Sequence, residues 1–118
     1  MARIQPGGMM AYDEGLADIL RDALVDVPGI VEKRMFGGLC FMRNGNMLCG
    51  VHKGGGMFRV GKTRYDDALG LDGVSPMAFT SKTMAGFVDV SDETLADDER
   101  RGALMRMAMQ FVGALPPK

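Results

Sequence analysis

The apolar positions of this chain change period twice, and those changes mark out its elements. Behind Asp13, Leu16, Ile19, Leu20, Ala23, Leu24 and Val27 recur at i, i+3, i+4, i+7, i+8 and i+11, with Asp18, Arg21, Asp22 and Asp26 on the other side. This is one apolar stripe on a surface helix, so the spacing predicts a helix from about Asp13 to Val27. Asp13 is its N-cap, and Glu14 lies near the positive end of the helix dipole. Pro28-Gly29 ends it, because proline lacks the N–H and disfavours helix in the residue before it.

From Ile30 onward the pattern is that of strands. Ile30 to Met35, Leu39 to Arg43, Asn46 to His52 and Met57 to Val60 are short apolar runs separated by Gly37-Gly38, Asn44-Gly45 and Gly54-Gly55-Gly56. Asn-Gly tolerates the positive φ angles of a two-residue hairpin turn, so an antiparallel meander follows. A simple two-residue register pairs Arg43 with Asn46, Met42 with Met47, Phe41 with Leu48 and Cys40 with Cys49. One face then carries Cys40, Met42, Met47, Cys49 and Val51, and the other Leu39, Phe41 and Leu48. Both faces are apolar, so a cover is expected on each, the second supplied by another helix layer or by a partner subunit.

Thr63 with Asp66 three residues on reads as a capping box for a short helix that ends at Gly70. Leu71 to Pro76 reads as a loop, and Phe87 to Val90 as a further strand. Ser91, Asp92 and Glu93 open a final helical region whose stripe Leu104, Ala108, Phe111, Val112 and Leu115 stops at Pro116-Pro117. Gly102 marks the expected break within it. The fold class expected is α+β, an antiparallel sheet with N-terminal and C-terminal helices.

At 118 residues the chain is long enough to bury its own core without disulfides or metal. Residues 1–10, with Pro6-Gly7-Gly8, read as a disordered leader before a single domain over 11–118. No signal-peptide pattern and no run of membrane-spanning length is present, so a cytoplasmic setting is expected. Twelve methionines and no tryptophan make the apolar surfaces soft and adaptable. The net charge of −1 is unevenly spread: Val31 to Tyr65 holds seven Lys/Arg against Glu32 alone, while the helical flanks are acidic. A basic sheet region is the footprint expected of nucleic-acid or acidic-partner binding. Lys33, Arg34, Arg43, Lys53 and Arg59 are the candidate phosphate or partner contacts, with Phe36 and Phe58 as candidate stacking groups.

Cys40 and Cys49, opposite each other in the simple register, form a candidate redox pair. His52, the only histidine, stands three residues after Cys49, and alternation places the two on opposite strand faces, unlike zinc ligands or a Cys/His catalytic pair. Gly54-Gly55-Gly56 lacks the Gly-Lys-Ser/Thr of a phosphate loop, and no nucleophile elbow is found. Asp97, Asp98 and Glu99 fall at a helix start and read as solvated caps. No catalytic, cofactor or metal site is expected.

Glu32-Lys33-Arg34-Met35-Phe36-Gly37-Gly38, the following Phe41 and Asn44-Gly45 turn, Arg59-Val60, Pro76-Met77 and Met84-Ala85-Gly86-Phe87-Val88-Asp89-Val90 resemble the N-terminal domain of the TfoX/Sxy family. The resemblance covers nearly the whole chain after Met10. It implies an α+β fold similar to type III secretion chaperones, with dimers unsurprising. It further implies an association with bacterial regulation of DNA-uptake competence, where the family acts beside the cyclic AMP receptor protein, and it brings no catalytic residues. Full-length regulators add a C-terminal helical domain, so a chain that stops at Pro116-Pro117-Lys118 is expected to be a stand-alone N-terminal domain. The expected function is a non-enzymatic regulatory or adaptor module acting on a protein partner, a homodimer included. Nucleic-acid binding by the basic sheet and a thiol switch are the alternatives.

Overall fold

The computed structural model describes residues 12–35, 37–79 and 82–118. Helix α1 (Glu14–Ala23) leads into strands β1 (Ile30–Met35), β2 (Gly38–Arg43), β3 (Asn46–His52) and β4 (Gly55–Arg59). Helix α2 (Tyr65–Leu69) connects to β5 (Val74–Phe79) and β6 (Lys82–Val90), and helices α3 (Asp92–Ala96) and α4 (Asp98–Gly113) close the chain. The six strands form one antiparallel sheet in the order β1-β2-β3-β4-β6-β5. The meander of β1 to β4 is therefore continued by β6, and β5 is the outer edge. This α+β architecture is the fold class that the residue pattern implies.

Asp13 caps α1 as expected, its carboxylate accepting from the Gly15 and Leu16 N–H groups. The helix ends at Ala23 rather than Val27. β-Branched Val25 and Val27 and the approach of Pro28 weaken its last turn, and Leu24 reaches the core from the cap position. Helix α2 forms without the expected capping box: Arg64 occupies the cap position and makes no side-chain cap bond. The final helical region breaks at Asp97, not at Gly102. Asp97 ends α3 and caps α4 by accepting from the Arg100 N–H at 2.8 Å. The segment read as a loop from Leu71 to Pro76 is a turn only as far as Gly73; Val74 onward is strand β5, with proline tolerated because the strand lies at the sheet edge. Residues 1–10, the expected leader, and Phe36 lie outside the described residues.

The hairpin turn is the one the Asn-Gly pair predicts. Asn44 has φ of 51° and Gly45 of 85°, the two positive angles of a type I′ turn. The C-terminal tail holds this turn in place: the Asn46 amide donates to the Pro116 carbonyl at 2.9 Å, and the Lys118 N–H donates to the Asn44 carbonyl at 2.8 Å.

The register beyond the turn corrects the simple reading. Arg43 faces Asn46 and Met42 faces Met47, but then Phe41 faces Cys49 and Cys40 faces Gly50, with a bulge at Leu48. One inserted residue reverses every later side chain of the strand. Leu39, Phe41, Leu48, Cys49 and Val51 consequently share the face on which the helices pack, joining Leu20, Phe58, Val88, Leu95, Leu104 and Val112 in the core. Cys40 and Met47 take the opposite face with Met57. All four helices of the described residues lie on the core face: α1 against β3, α2 against β5 and β6, α3 against β4, and α4 against β3 and β4. Of the two covers expected for the other face, a second helix layer or a partner subunit, the helix layer is not formed among the described residues.

Candidate functional site

That second face is a shallow hollow of about 480 Å³. It is lined by Met35, Met47, Met57, Met77 and Met84, together with Phe87, Cys40, Gly37, Gly38, Val51, His52, Lys53 and Asp89. Five thioether side chains from β1, β3, β4, β5 and β6 meet there, and Met57 does so because it alternates with a residue that points into the core. Phe58, beside Met57, and Val88, beside Phe87, are fully buried beneath the helices. Unbranched, polarisable methionine suits a surface that adjusts to what it contacts.

The Gly37-Gly38 pair at the rim has a structural reason. Gly37 turns the chain from β1 to β2 at φ 74°, and Gly38 passes so close to the Val51 carbonyl that a side chain would overlap it. Together they let β2 start directly against the end of β3, which brings Met35 and His52 to the same hollow.

One polar pair sits among the methionines. The His52 Nε2 lies 2.5 Å from the Asp89 carboxylate and 3.1 Å from the Gly56 carbonyl, while its Nδ1 accepts from the Gly54 N–H at 3.0 Å. In neutral imidazole the proton is thus on Nε2, directed at Asp89. The hydrogen bond to Asp89 raises the His52 pKa above its ordinary value, against the opposing effect of burial. Adding the second proton displaces the Gly54 N–H from Nδ1, which limits that rise. Both ring nitrogens are engaged, so the dyad holds the β3–β4 turn to β6 and offers no free nitrogen to a substrate. No sequence motif marks this pair. The residues are 37 apart, and only the antiparallel pairing of β4 with β6 joins them.

The two thiols do not stand opposite each other as the simple register expects. Cys40 lies opposite Gly50 and points into the hollow, whereas Cys49 lies opposite Phe41 and points into the core. The bulge at Leu48 is what separates them. Both are free, and burial pushes the thiol pKa of each up, so neither is an activated thiolate. Cys49 and His52 are on opposite faces, as alternation requires.

The basic candidates are dispersed rather than gathered into one track. Lys33 pairs opposite Cys40 and so stands on the open face, and Lys53 lines the hollow; both are exposed. Arg34 pairs opposite core residue Leu39 and so belongs to the other face. Arg43 is half-buried, its Nη1 3.8 Å from the Met109 sulfur on α4. Arg59 has its guanidinium over two rings, 5.3 Å from the Phe87 centroid and 5.4 Å from that of Phe111. Phe58 corrects the stacking expectation: it is wholly inaccessible, a core residue between Cys49 and Val88. The candidate contact Phe36 lies outside the described residues.

Among the described residues no group of three or more His, Cys, Asp or Glu is placed to hold a metal ion, and no helix is long and apolar enough to cross a membrane. Fold and surface together define a small α+β domain with helices on one side of a sheet and an adaptable apolar face on the other. Its sequence assigns it to a family: the TfoX N-terminal domain model matches residues 22–112, and the chain belongs to that family of regulatory domains. Neither curated proteins nor solved structures gave a match.

Proposed function

We propose that this chain is a non-catalytic regulatory domain that works by protein contact, using the methionine-lined face of its sheet. The observation that carries the reading is the one-sided fold: four helices cover one face, while five methionines and Phe87 line a hollow on the other. A small domain keeps a contiguous apolar face of this kind when another molecule contacts it. Membership of the TfoX N-terminal domain family supports a role in bacterial competence or transcription regulation, and the two buried free thiols suit a reducing cytoplasm. The engaged nitrogens of His52 and the raised thiol pKa values favour binding over catalysis.

The test compares what native extract leaves on immobilised wild type, on Met84→Glu in the hollow and on Gln110→Glu on the exposed side of α4. The reading predicts proteins retained by wild type and Gln110→Glu and lost from Met84→Glu. Identical retention by all three, or no retention, contradicts it.

A further inference from the structure

Resting on that reading, we propose that the partner presents an acidic amphipathic helix, laid across the strands with its apolar stripe in the hollow and its carboxylates against Lys33 and Lys53. The shape of the hollow favours such an occupant. It runs from Met35 on one edge strand to Met77 on the other, so it crosses five inter-strand spacings, roughly 24 Å along the sheet. An α-helix of about 16 residues has that length. A shallow trough of this span suits an elongated occupant that inserts a row of side chains, and methionine-rich grooves take helices in this way.

Charge points the same way. Lys33 and Lys53 stand on the open face, and among the described residues neither is in an ion pair. The one carboxylate lining the hollow, Asp89, is bound to His52. The face therefore offers apolar contact flanked by unmatched positive charge, the complement of an apolar stripe edged with Glu or Asp. A second copy of this chain fits poorly. Its own acidic helix α1 has already buried its apolar stripe, with Leu16, Ala17 and Leu20 in the core. Two open faces packed about a two-fold axis would bring Lys33 and Lys53 of each copy into one positively charged interface.

The test uses two fluorescein-labelled 18-residue helical peptides that share a leucine stripe at i, i+3, i+4 and i+7 and differ only in flanking Glu or Lys. Their anisotropy is measured against the whole chain at about 50 and about 200 mM salt, where screening weakens exposed charge contacts. The Glu peptide is expected to bind about tenfold more tightly at the lower salt, with the advantage shrinking at the higher. The double variant Lys33→Glu/Lys53→Glu, altered only at exposed positions, should reverse the preference, and Met84→Glu should abolish binding of both peptides. Equal binding of the two peptides, a preference for the Lys peptide, or a Glu preference that survives the double variant overturns the acidic helix. If the peptides bind equally and Met84→Glu still removes both, the methionine face stands as a contact surface and only its partner's charge is wrong. If neither binds, the helix is overturned, and retention from extract decides the broader reading separately.

Discussion

Replacing Gly38 by alanine sets a methyl group inside the van der Waals limit of the Val51 carbonyl oxygen and 3.2 Å from the His52 Cα. Both are backbone, so no side-chain rotation relieves the overlap, and the ends of β2 and β3 must part. That movement loosens the Leu39–Val51 pairing. Loss of one or two ladder hydrogen bonds at about 1 kcal/mol each, plus overpacking strain of about 1–3 kcal/mol, gives a cost of about 2–5 kcal/mol. Gly37→Ala is the matched control, because a methyl there meets nothing within 4 Å and the only penalty is φ of 74°. Left-handed alanine costs about 1–2 kcal/mol, partly offset by a less flexible unfolded chain, leaving about 1 kcal/mol. With a urea slope of about 1.5 kcal/mol per M, the midpoint falls by about 0.7 M for Gly37→Ala and by about 1.3–3.3 M for Gly38→Ala. Urea unfolding followed by circular dichroism reads both. If Gly38→Ala loses no more than Gly37→Ala, then close approach of β2 to the end of β3 is not what requires the Gly-Gly pair, nor what brings Met35 and His52 to one hollow.

Other outcomes follow from the same contacts. The His52 pKa is raised in the folded protein, so the extra stabilisation that the imidazolium charge adds to the contact with Asp89 is fully present below the ordinary histidine value and is lost as pH rises through the folded value. Asp89→Asn should therefore destabilise more at pH 5.5 than at pH 8.5, and an equal loss at both would show that the pair does not titrate as described. The Arg21 guanidinium holds the Glu32 carboxyl below its ordinary pKa through bonds of 2.5 and 2.8 Å that tie α1 to edge strand β1. Because the pair is partly exposed, Glu32→Gln should cost about 0.5 kcal/mol at pH 7. The wild-type advantage disappears as pH falls through the lowered Glu32 value, and a cost that persists in acid would point to packing instead. Mild oxidation with diamide should leave both thiols free in the native protein, as counted after unfolding; an intramolecular Cys40–Cys49 disulfide would contradict the bulged register.

Much of the fold could be read from local rules, and what could not depended on distant contacts. Asn44-Gly45 specifies its turn because few other residue pairs accept two positive φ angles, and Asp13 specifies a cap by its own side-chain chemistry. The bulge at Leu48 left no such trace. It follows from how Leu48 and Cys49 both find room under the helices, and with it went the expected positions of Cys49 and Val51. Strand β5 was hidden by Pro76, which reads as a breaker until the strand is known to lie at an edge. The methionines were visible in number but not in place. Met35, Met47, Met57, Met77 and Met84 become one surface only when six strands are put in order, and the same ordering divides the basic residues between faces.

Whether the methionine face is where this domain meets its partner is tested most directly by methyl spectra. With methionine methyls labelled with carbon-13, signals are recorded for the free protein and during titration with the protein that wild type retains and Met84→Glu loses. Met35, Met47, Met57, Met77 and Met84 should shift or broaden while Met105, Met107 and Met109 on α4 stay in place. Shifts confined to the α4 methionines, with the hollow unmoved, would contradict a contact through the open face of the sheet.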